Sequence, residues 1–519
     1  MARLEHDPDV VHRRRWGILG VLNLSLVLVV AGNSSLNVAL PTLVRDLGAT
    51  SSELQWIVDA YALVFAGLLL PMGALGDRFG RKGMLQGGLT VFALAAVAGT
   101  FATQPWHLIA TRSVMGVGAS MIMPATLSII TIVFPPEERA RAIAVWAGFA
   151  GAGAAVGPVM SGLLLEHFWF GSVFFINVPI AALAVAGGLL LVPTSRDPGQ
   201  RPLDPVGAGL SMVGLATVLY GIIEAPDRGW TDPVVLTGFV LGALLLVSFV
   251  RWEQRTHDPM LPIDQFRDAR FTMGSAAVSI TFFVMLGLFF VATQYLQFVL
   301  GYSPLAAGIA TLPMAGMMLV SAPRSAHLAA RFGRHRVVAG SLLIIAAGMT
   351  VMSTLSPDSD YPRLLVALLL FGTGMGSAMA PSTWAIMESM PLSKAGVGSA
   401  VNDTTREVGG SLGIAVLGSI LSAGYRSHLD IDLSQAPPQA AEAVRESVGA
   451  ALEVAPDAPP PFDVRVADAA RSAFTDSMSL VFLIAAGIAV AGALLVLRFM
   501  PAGGETVVPE RALAESAGR

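Results

Sequence analysis

Long apolar runs alternate with short polar segments along almost the whole chain. Each run has about 20 residues, the length at which a helix crosses the hydrocarbon core of a bilayer. Helices are predicted rather than a barrel, because a helix satisfies its own backbone polar groups and no alternating ten-residue strands are visible. The pattern predicts fourteen spans, which we number span 1 to span 14, at 17–40, 54–76, 83–103, 107–134, 142–165, 173–193, 205–224, 234–251, 272–300, 304–324, 336–355, 363–389, 397–422 and 478–499.

Composition supports an all-α integral membrane protein. Of 519 residues, 13% are charged and 54% are hydrophobic, whereas soluble chains carry about 25% charged residues. No small-residue cleavage site follows the first apolar run, so we expect a retained span and not a cleaved signal. The chain has no cysteine, which excludes disulfides, thiol catalysis and zinc–thiolate sites. It has no nucleotide-binding P-loop either, so we do not expect direct drive by ATP. We also expect no enzyme activity, no cofactor and no metal site.

The basic residues predict the orientation of the chain. If the N-terminus is cytoplasmic, the short inner loops hold fifteen Lys and Arg residues and the short outer loops hold three, Arg45, Arg228 and Arg363. Basic residues are retained on the cytoplasmic side of a membrane. We therefore expect a multi-pass protein of the plasma or inner membrane whose N-terminal segment, 1–16, and polar tail, 501–519, are both cytoplasmic.

An internal repeat predicts the architecture. The text LAARFGRHR at 328–336 repeats LGDRFGRKG at 75–83 with an offset of 253 residues. Such a duplication predicts two six-helix halves, 17–194 and 252–500, with two extra helices in 195–251 between them. Paired repeats around a central cavity are the usual construction of a secondary transporter.

Several motifs resemble those of the major facilitator superfamily. The stretch GALGDRFGRK resembles its signature between the second and third helices and matches it at Gly73, Leu75, Asp77, Arg78, Gly80, Arg81 and Lys82. The second copy has Ala330 where Asp77 stands. The run GAGAAVGPVMSG resembles the antiporter signature of span 5 at Gly153, Gly157, Pro158 and Gly162. Other stretches, such as LQWIVDAYAL and AGVGSAVNDTTREVGGSLG, are similar to the fourteen-helix drug:proton antiporter branch and its quaternary-ammonium and multidrug exporters.

The resemblance implies a gate at the first signature. Asp77 is expected to meet the cytoplasmic end of span 13 near Ala395 and Gly396 and to close the inner gate when the cavity faces out. A carboxylate is favoured at a helix N-terminus, and glycines permit close backbone approach. The alternative, a positive-inside anchor, accounts for the basic residues of the signature but not for Asp77 or the glycines.

Five ionisable residues lie well inside predicted spans, where each is costly unless it faces a wet cavity or a partner. They are Asp59, Arg112, Asp403, Arg406 and Glu407. Asp403 and Glu407 share a helix face, and their repulsion favours a proton on one of them, which would make it a proton carrier. Asp59 is the better candidate for holding a cationic substrate. The alternative is a structural ion pair with Arg406 or Arg112.

Arg112 and the glycines of span 5 each have two interpretations. The run RSVMGVGASMIMP resembles the span-4 motif whose buried arginine is implicated in proton coupling; alternatively, Arg112 bonds carbonyls of helices kinked by Pro124 or Pro158. The span-5 glycines predict packing of the helix-5/helix-8 type and a leak seal, although small residues are common at all membrane helix contacts.

The substrate is less well defined by the sequence. Six side chains are candidates for the cavity wall, although core or lipid packing is favoured for each: Trp56, Tyr61, Met121, Met123, Tyr295 and Met314. Gly32 and Met318 stand where cation exporters of this branch carry acids, which favours a monovalent or neutral amphipathic substrate over a dication. The long loop 425–477 has nine acids and four arginines; a solvated outer hairpin is favoured over a cation-attracting vestibule.

The resemblance implies a proton-coupled antiporter that exports amphipathic drugs or natural products. The expected partners are protons, the lipid bilayer and a small amphipathic molecule, cationic or neutral; no nucleic acid is expected, and the protein is expected to act as a monomer. Two other functions remain open. One is an uptake symporter or facilitator, against which the antiporter-like run of span 5 argues. The other is a membrane sensor without flux, for which no signalling domain is present.

Overall fold

A computed structural model describes residues 3–4, 8–49, 51–196, 204–434, 436–457 and 462–501. Among these residues, fourteen helices are long and apolar enough to cross a membrane, which confirms the predicted number. An even number of crossings leaves residues 8 and 501 on the same face of the bundle. That this face is cytoplasmic stays a prediction from the loop charges.

The helices follow the predicted order. Spans 1 to 6 are Pro8–Ser34, Ser51–Phe79, Arg81–Thr100, Pro105–Val133, Pro136–His167 and the pair Ser172–Phe175 and Asn177–Leu191. Spans 7 and 8 are Pro205–Arg228 and Pro233–Glu253. Spans 9 to 14 are Ala269–Gln294 with a π-helical extension Tyr295–Val299, then Pro304–Phe332, Arg334–Met352, Tyr361–Ser389, Ala395–His428 and Phe462–Phe499.

Shorter elements join these spans. Three are α-helices, Leu36–Leu47, Pro438–Glu446 and Val448–Val454, and three are 3-10 turns, Ile263–Arg267, Leu392–Lys394 and Ala455–Asp457. Two strands of two residues, Arg3–Leu4 and Ser195–Arg196, pair antiparallel with Arg3 opposite Arg196. The chain before span 1 therefore contacts the segment that follows span 6.

Span 1 ends earlier than predicted. The apolar run continues to residue 40, but the helix stops at Ser34 and a separate helix begins at Leu36. The Ser34 hydroxyl donates to the Ala31 carbonyl at 3.3 Å, and the Ser35 hydroxyl donates to the Gly32 carbonyl at 3.2 Å. Serine side chains that bond nearby carbonyls compete with the regular helical pattern, which explains a break that apolar periodicity does not reveal.

The two halves meet along two equivalent interfaces. Span 2 packs against span 13, and span 10 packs against span 5. The offset of 253 residues relates the members of one interface to those of the other, since it carries span 2 onto span 10. The extra spans 7 and 8 pack on each other, and span 7 also contacts spans 2 and 13. Span 4 also contacts span 13, and span 5 also contacts span 12.

The long loop is shorter and more ordered than predicted. Spans 13 and 14 extend to His428 and from Phe462, because their ends beyond the apolar runs remain helical. The two short helices between them, which we call the cap (438–454), bury Val444 and Val448. The Tyr425 hydroxyl of span 13 donates to the Val444 carbonyl at 2.9 Å. Periodic apolar residues thus dock one face of the cap on the spans, while charged residues such as Glu442 and Glu446 stay exposed; that this hairpin lies on the outer side stays a prediction.

Candidate functional site

A cavity of about 160 Å³ lies between the two halves. One half lines it with Val29, Val30, Asn33, Ser34, Tyr61, Phe65, Met123, Ala147, Ala150, Gly151 and Ala154. The other half lines it with Phe282, Met285, Leu286, Met375, Met379, Asp403, Arg406 and Glu407. The wall is mostly apolar, and its three charged side chains all come from span 13.

The three charged residues of span 13 form one ion pair and leave a second carboxylate beside it. Arg406 Nη1 lies 3.5 Å from Asp403 Oδ1, and both side chains are buried. Asn402 donates to the same Asp403 oxygen at 3.3 Å, while Asp403 Oδ2 has no hydrogen-bond partner among the described residues. Glu407 is half-buried one turn further along. Both carboxylates line the same cavity, as their spacing predicts.

Two aromatic rings enclose the Arg406 guanidinium. Its central carbon lies 4.6 Å from the centroid of the Trp146 ring and 5.4 Å from that of Phe282. Trp146 belongs to span 5 of the opposite half, is fully buried and donates to the Thr126 hydroxyl at 3.2 Å. Aromatic faces attract a cation that has few hydrogen-bond acceptors. Trp146 was not a sequence candidate, although its place before the glycines of span 5 was visible.

Arg112 lies one layer behind the cavity wall. It is fully buried; its Nε donates to the Ile57 carbonyl at 3.2 Å and its Nη2 donates to Asn33 Oδ1 at 2.7 Å. The guanidinium also stacks over Tyr61, with its carbon 4.2 Å from the ring centroid. Asn33 and Tyr61 both line the cavity. Arg112 therefore contacts the cavity wall from behind, through its hydrogen bond to Asn33 and its stacking on Tyr61. Its carbonyl partner is on span 2, not on the proline-containing spans 4 and 5 that the structural alternative named.

Asp59 is not brought to the cavity. It is half-buried on span 2 and takes part in a polar interaction, but it does not line the cavity with Asp403 and Glu407. The five intramembrane candidates therefore divide into three that line the cavity, one behind its wall and one outside it. Helical spacing predicted that the three residues of span 13 lie together. Whether Asp59 reaches the cavity depends instead on how span 2 is rotated against its neighbours.

The glycines of span 5 pack against two different spans. A Cβ on Gly157 would lie 2.6 Å from the Ala31 carbonyl oxygen of span 1, and Gly153 faces Val27 and Val30 of the same span. Gly162 faces Leu305 of span 10. Span 5 also contacts span 10 through Pro158 with Gly308 and through Gly151 with Met318. Span 10 is the eighth helix when the extra pair is left out, so the predicted contact is present at Pro158 and Gly162, and span 1 is an additional partner.

Other candidates for the wall are only partly placed there. Tyr61 and Met123 line the cavity, whereas Trp56 is exposed and stacks on Tyr220. Tyr295 donates its hydroxyl to the Ser356 carbonyl at 2.8 Å. The sequence missed three methionines of the second half, Met285, Met375 and Met379. Gly32, where an acid was expected in cation exporters, packs against Phe92 and Asn177 and does not line the cavity.

Asp77 contacts the first turn of span 13, across the interface between the halves. Its Oδ1 accepts the N–H of Gly396 at 2.9 Å and its Oδ2 accepts that of Val397 at 3.2 Å. The first N–H groups of a helix have no partner within the helix and carry its positive dipole end. A Cβ on Gly73 would lie 2.6 Å from the Gly396 carbonyl oxygen, so this contact requires glycine. The contact that the resemblance implied is present.

Arg81 completes this contact, which we call the latch (Gly73, Asp77, Arg81, Gly396 and Val397). The Arg81 side chain is fully buried; its Nε donates to Asp77 Oδ1 at 2.9 Å and its Nη2 donates to the Leu392 carbonyl at 3.1 Å. Gly80 supports the turn with a φ of 121°, in a region that glycine occupies without strain.

Arg78 and Lys82, the other basic residues of this signature, make different contacts. Lys82 donates to the Leu189 carbonyl of span 6 at 3.0 Å, and Arg78 lies over the ring of its neighbour Phe79. Neither contact joins the two halves, so these two residues fit the role of topology anchors.

Comparison with known proteins agrees with this geometry. The profile of the family described as Major Facilitator Superfamily matches residues 22–414. The chain is 35% identical over 484 residues to the multidrug efflux pump LfrA of Mycolicibacterium smegmatis, covering 93% of this chain and 96% of that protein. It is 35% identical over 468 residues to the methyl viologen resistance protein SmvA of Salmonella typhimurium, covering 90% and 94%. The structure of the human organic anion transporter MFSD10 superposes with a TM-score of 0.59 at 15% identity, covering 93% of this chain and 99% of that chain.

Proposed function

The chain belongs to the major facilitator superfamily as a multi-pass cell membrane protein, and from that premise we propose that it exports small amphipathic drugs or natural products in exchange for protons. The observation that best supports this proposal is the cavity between the halves. It joins a mostly apolar wall to two carboxylates and one guanidinium on span 13. Such a cavity offers apolar contact to the body of a substrate and a charge to its polar group.

The wall suits substrates of varied shape. Methionines are unbranched and polarisable, so their side chains adapt to different apolar partners, and the wall holds Met123, Met285, Met375 and Met379. Phe65 and Phe282 add flat aromatic surface. A site built in this way favours amphipathic molecules as a class over one polar metabolite, which would need several fixed hydrogen bonds.

The charges suit a competition between a proton and a substrate. Among the ion pairs of the described residues, Asp403 is joined to Arg406 and Glu407 is joined to none. An unpaired carboxylate in a span is costly, and a proton or a cation relieves that cost. If both ligands use Glu407, each excludes the other, which is the requirement for exchange. When Glu407 gains or loses its proton, the ion pair between Asp403 and Arg406 strengthens or weakens in the same transport cycle.

The gate and the seal follow from the two interfaces. We assign the gate to Gly73, Asp77 and Arg81, because their contacts with span 13 and the turn before it join the two halves at one end of the bundle. Gly80 supports the turn from which Arg81 begins. Arg78 and Lys82 orient the chain. We assign the seal to Gly153, Gly157, Pro158 and Gly162, whose close packing on spans 1 and 10 leaves little room for water or ions beside the cavity.

Purified protein in liposomes tests the coupling. A pH gradient is imposed, and accumulation is followed for methyl viologen as a dication, ethidium as a monocation and Nile red as a neutral amphipath. Asp403→Asn or Glu407→Gln should abolish gradient-driven accumulation and leave downhill exchange. Asp59→Asn is the control, because its carboxylate lies outside the cavity wall; it should keep coupling and leave the preference among the three substrates unchanged.

Each other outcome points to a different function or site. If Asp403→Asn and Glu407→Gln both still accumulate substrate against its gradient, coupling lies elsewhere, and Arg112 with Asp59 becomes the next candidate. Movement of substrate in the same direction as protons would indicate a symporter. Absence of flux for the whole panel from folded protein would favour a sensor.

A further inference from the structure

The segment between span 8 and span 9 contacts the turn that precedes span 13. We call residues 254–268 the connector; it leaves the extra pair of spans at Glu253 and enters span 9 through the turn Ile263–Arg267. Two of its residues, Met260 and Leu261, are buried at 8% and 4% exposure. The connector is therefore packed into the protein and is not a loose tether.

Lys394 ties the connector to the start of span 13. It is the last residue of the 3-10 turn Leu392–Lys394, which immediately precedes the helix that Asp77 caps. Its side chain is buried at 9% exposure, and Nζ donates to the Pro259 carbonyl at 2.6 Å. Hydrogen bonds from a charged donor are shorter and stronger than neutral ones.

Glu253 ties the same connector to the extra spans. This last residue of span 8 is 2% exposed, and its Oε2 accepts the N–H of Leu261 at 3.2 Å. It packs against span 7 at Gly207, where an added Cβ would lie 2.8 Å from Glu253 Oε1. Asp204 fixes this end of the pair, because it caps span 7 at Gly207 and accepts the indole N–H of Trp252.

The turn before span 13 is thus held from two sides. Arg81 of the first half donates to the Leu392 carbonyl at 3.1 Å, and Lys394 of the same turn is bonded to the connector. The position of this turn decides where the N–H groups of Gly396 and Val397 point. Those N–H groups are the partners of Asp77 in the latch.

We propose that Glu253 and Lys394 are positioning residues of the gate, through which the extra pair of spans holds span 13 in the orientation that Asp77 binds. The proposal rests on the gate function assigned to Asp77. If the bond from Lys394 holds the turn only while Asp77 is bound, it biases the equilibrium between latched and open states by its net free energy. For one charge-assisted hydrogen bond this bias is about tenfold.

The absence of cysteine makes the gate directly measurable. Gly83→Cys at the start of span 3 and Phe332→Cys at the end of span 10 introduce the only two thiols of the chain, one in each half. A Cβ at Gly83 meets nothing within 4 Å, and Phe332 is 48% exposed. Spin labels at these sites report the separation of the halves by pulsed electron resonance in nanodiscs.

The expected result is a change in the population of separated halves. Lys394→Met should raise the ratio of the long-distance to the short-distance population about tenfold, because its donor is lost. Lys394→Arg keeps a charged donor and should restore much of the short-distance population. Asp264→Asn is the matched control, since Asp264 is on the same connector with a side chain 87% exposed; it should leave the distribution unchanged.

Two comparisons make the outcome decisive. Asp77→Asn should open the halves, and if it does while Lys394→Met matches the unsubstituted protein, the positioning role is overturned. If Lys394→Met is not recovered folded, Glu253→Gln is measured instead; a shift toward long distances supports the proposal and no shift overturns it. Since the distances need no substrate or proton gradient, failure of this inference is distinguishable from failure of export. An unchanged distance in Asp77→Asn would overturn the gate itself and the positioning role with it.

Discussion

Two turns occupy equivalent places in the two halves, one at Gly80 and the other at Gly333, 253 residues further along. Both glycines have a positive φ, 121° and 85°. Each is followed by an arginine that begins the next span, Arg81 in the first half and Arg334 in the second. The backbone of the turn is therefore alike in the two copies.

The side chains of the two turns have different partners. Arg81 is fully buried and bonds Asp77 and the Leu392 carbonyl, so its turn is joined to the opposite half. Arg334 bonds Glu388 at 2.6 Å within its own half, and the Glu388 side chain is 38% exposed. Ala330 occupies the place of Asp77 and cannot accept a hydrogen bond through its side chain.

The comparison separates what the turn needs from what the gate needs. A glycine with positive φ is sufficient to reverse the chain between two spans, and both copies keep it. A bond to the other half also needs a carboxylate, a buried arginine and a helix N-terminus, and only the first copy has all three. We infer that charge controls the interface of spans 2 and 13, whereas the interface of spans 5 and 10 depends on packing.

The largest effect is expected from Asp77→Asn. Removing the carboxylate leaves Arg81 buried without its anion, and breaking one partner of a buried pair costs about 3 kcal/mol, or roughly a hundredfold in an equilibrium. Transport in liposomes should fall by a similar factor, while circular dichroism shows the same helical content. Unchanged transport by a normally folded variant would contradict the gate.

A smaller effect is expected from Gly73→Ala, whose equivalent in the second half is already Ala326. The new Cβ would lie 2.6 Å from the Gly396 carbonyl oxygen, and such overpacking costs roughly 1–3 kcal/mol. Transport rate and thermal unfolding in detergent should both fall. Ala326→Gly is the matched variant and should cost less than about 1 kcal/mol; equal effects would show that the two interfaces are packed alike.

The backbone of the two turns should respond equally. Gly80→Ala and Gly333→Ala each place a Cβ on a residue with positive φ, which costs roughly 1–2 kcal/mol. Thermal unfolding should show two losses of similar size, because the glycine is needed for the turn and not for the latch. If only Gly80→Ala lowers the unfolding temperature, the positive φ that the two glycines share does not determine the stability of the two turns.

The smallest effect is expected from Glu388→Gln. This substitution removes the ion pair with Arg334, but a pair whose acid is 38% exposed contributes less than about 1 kcal/mol. Transport should stay within about fivefold of the unsubstituted protein. A loss as large as that of Asp77→Asn would mean that the second turn is also a gate.

The parts of this site that the sequence predicted are those that local spacing or the internal repeat encodes. Fourteen apolar runs were enough to count the spans, and one helical turn between Asp403 and Glu407 was enough to put both on one cavity. The partner of Asp77 at the start of span 13 was implied by the resemblance of 73–82 to a family signature and not by spacing. Each of these predictions needs only the position of a residue along one helix or one motif.

The parts that the sequence did not predict depend on how helices are rotated and where they end. Trp146 over Arg406 and Lys394 on Pro259 are contacts between distant elements, and apolar periodicity does not define such pairings. Asp59 was expected to hold a cationic substrate, yet it does not line the cavity that Asp403 lines, because the sequence does not define which face of span 2 turns toward the cavity. The start of span 14 was placed at 478, because its first turns, from Phe462, mix charged and apolar residues and lie outside any apolar run.

Span 14 is longer than a membrane crossing needs. Its 38 residues measure about 57 Å at 1.5 Å per residue, against a hydrocarbon thickness of about 30 Å. The surplus carries this helix past the headgroups on the side of the cap, where it adjoins the end of span 13. A rigid projection of this kind is a natural fusion point for a small soluble domain. Such a fusion would give single-particle images an asymmetric landmark for alignment that the lipid-embedded spans lack.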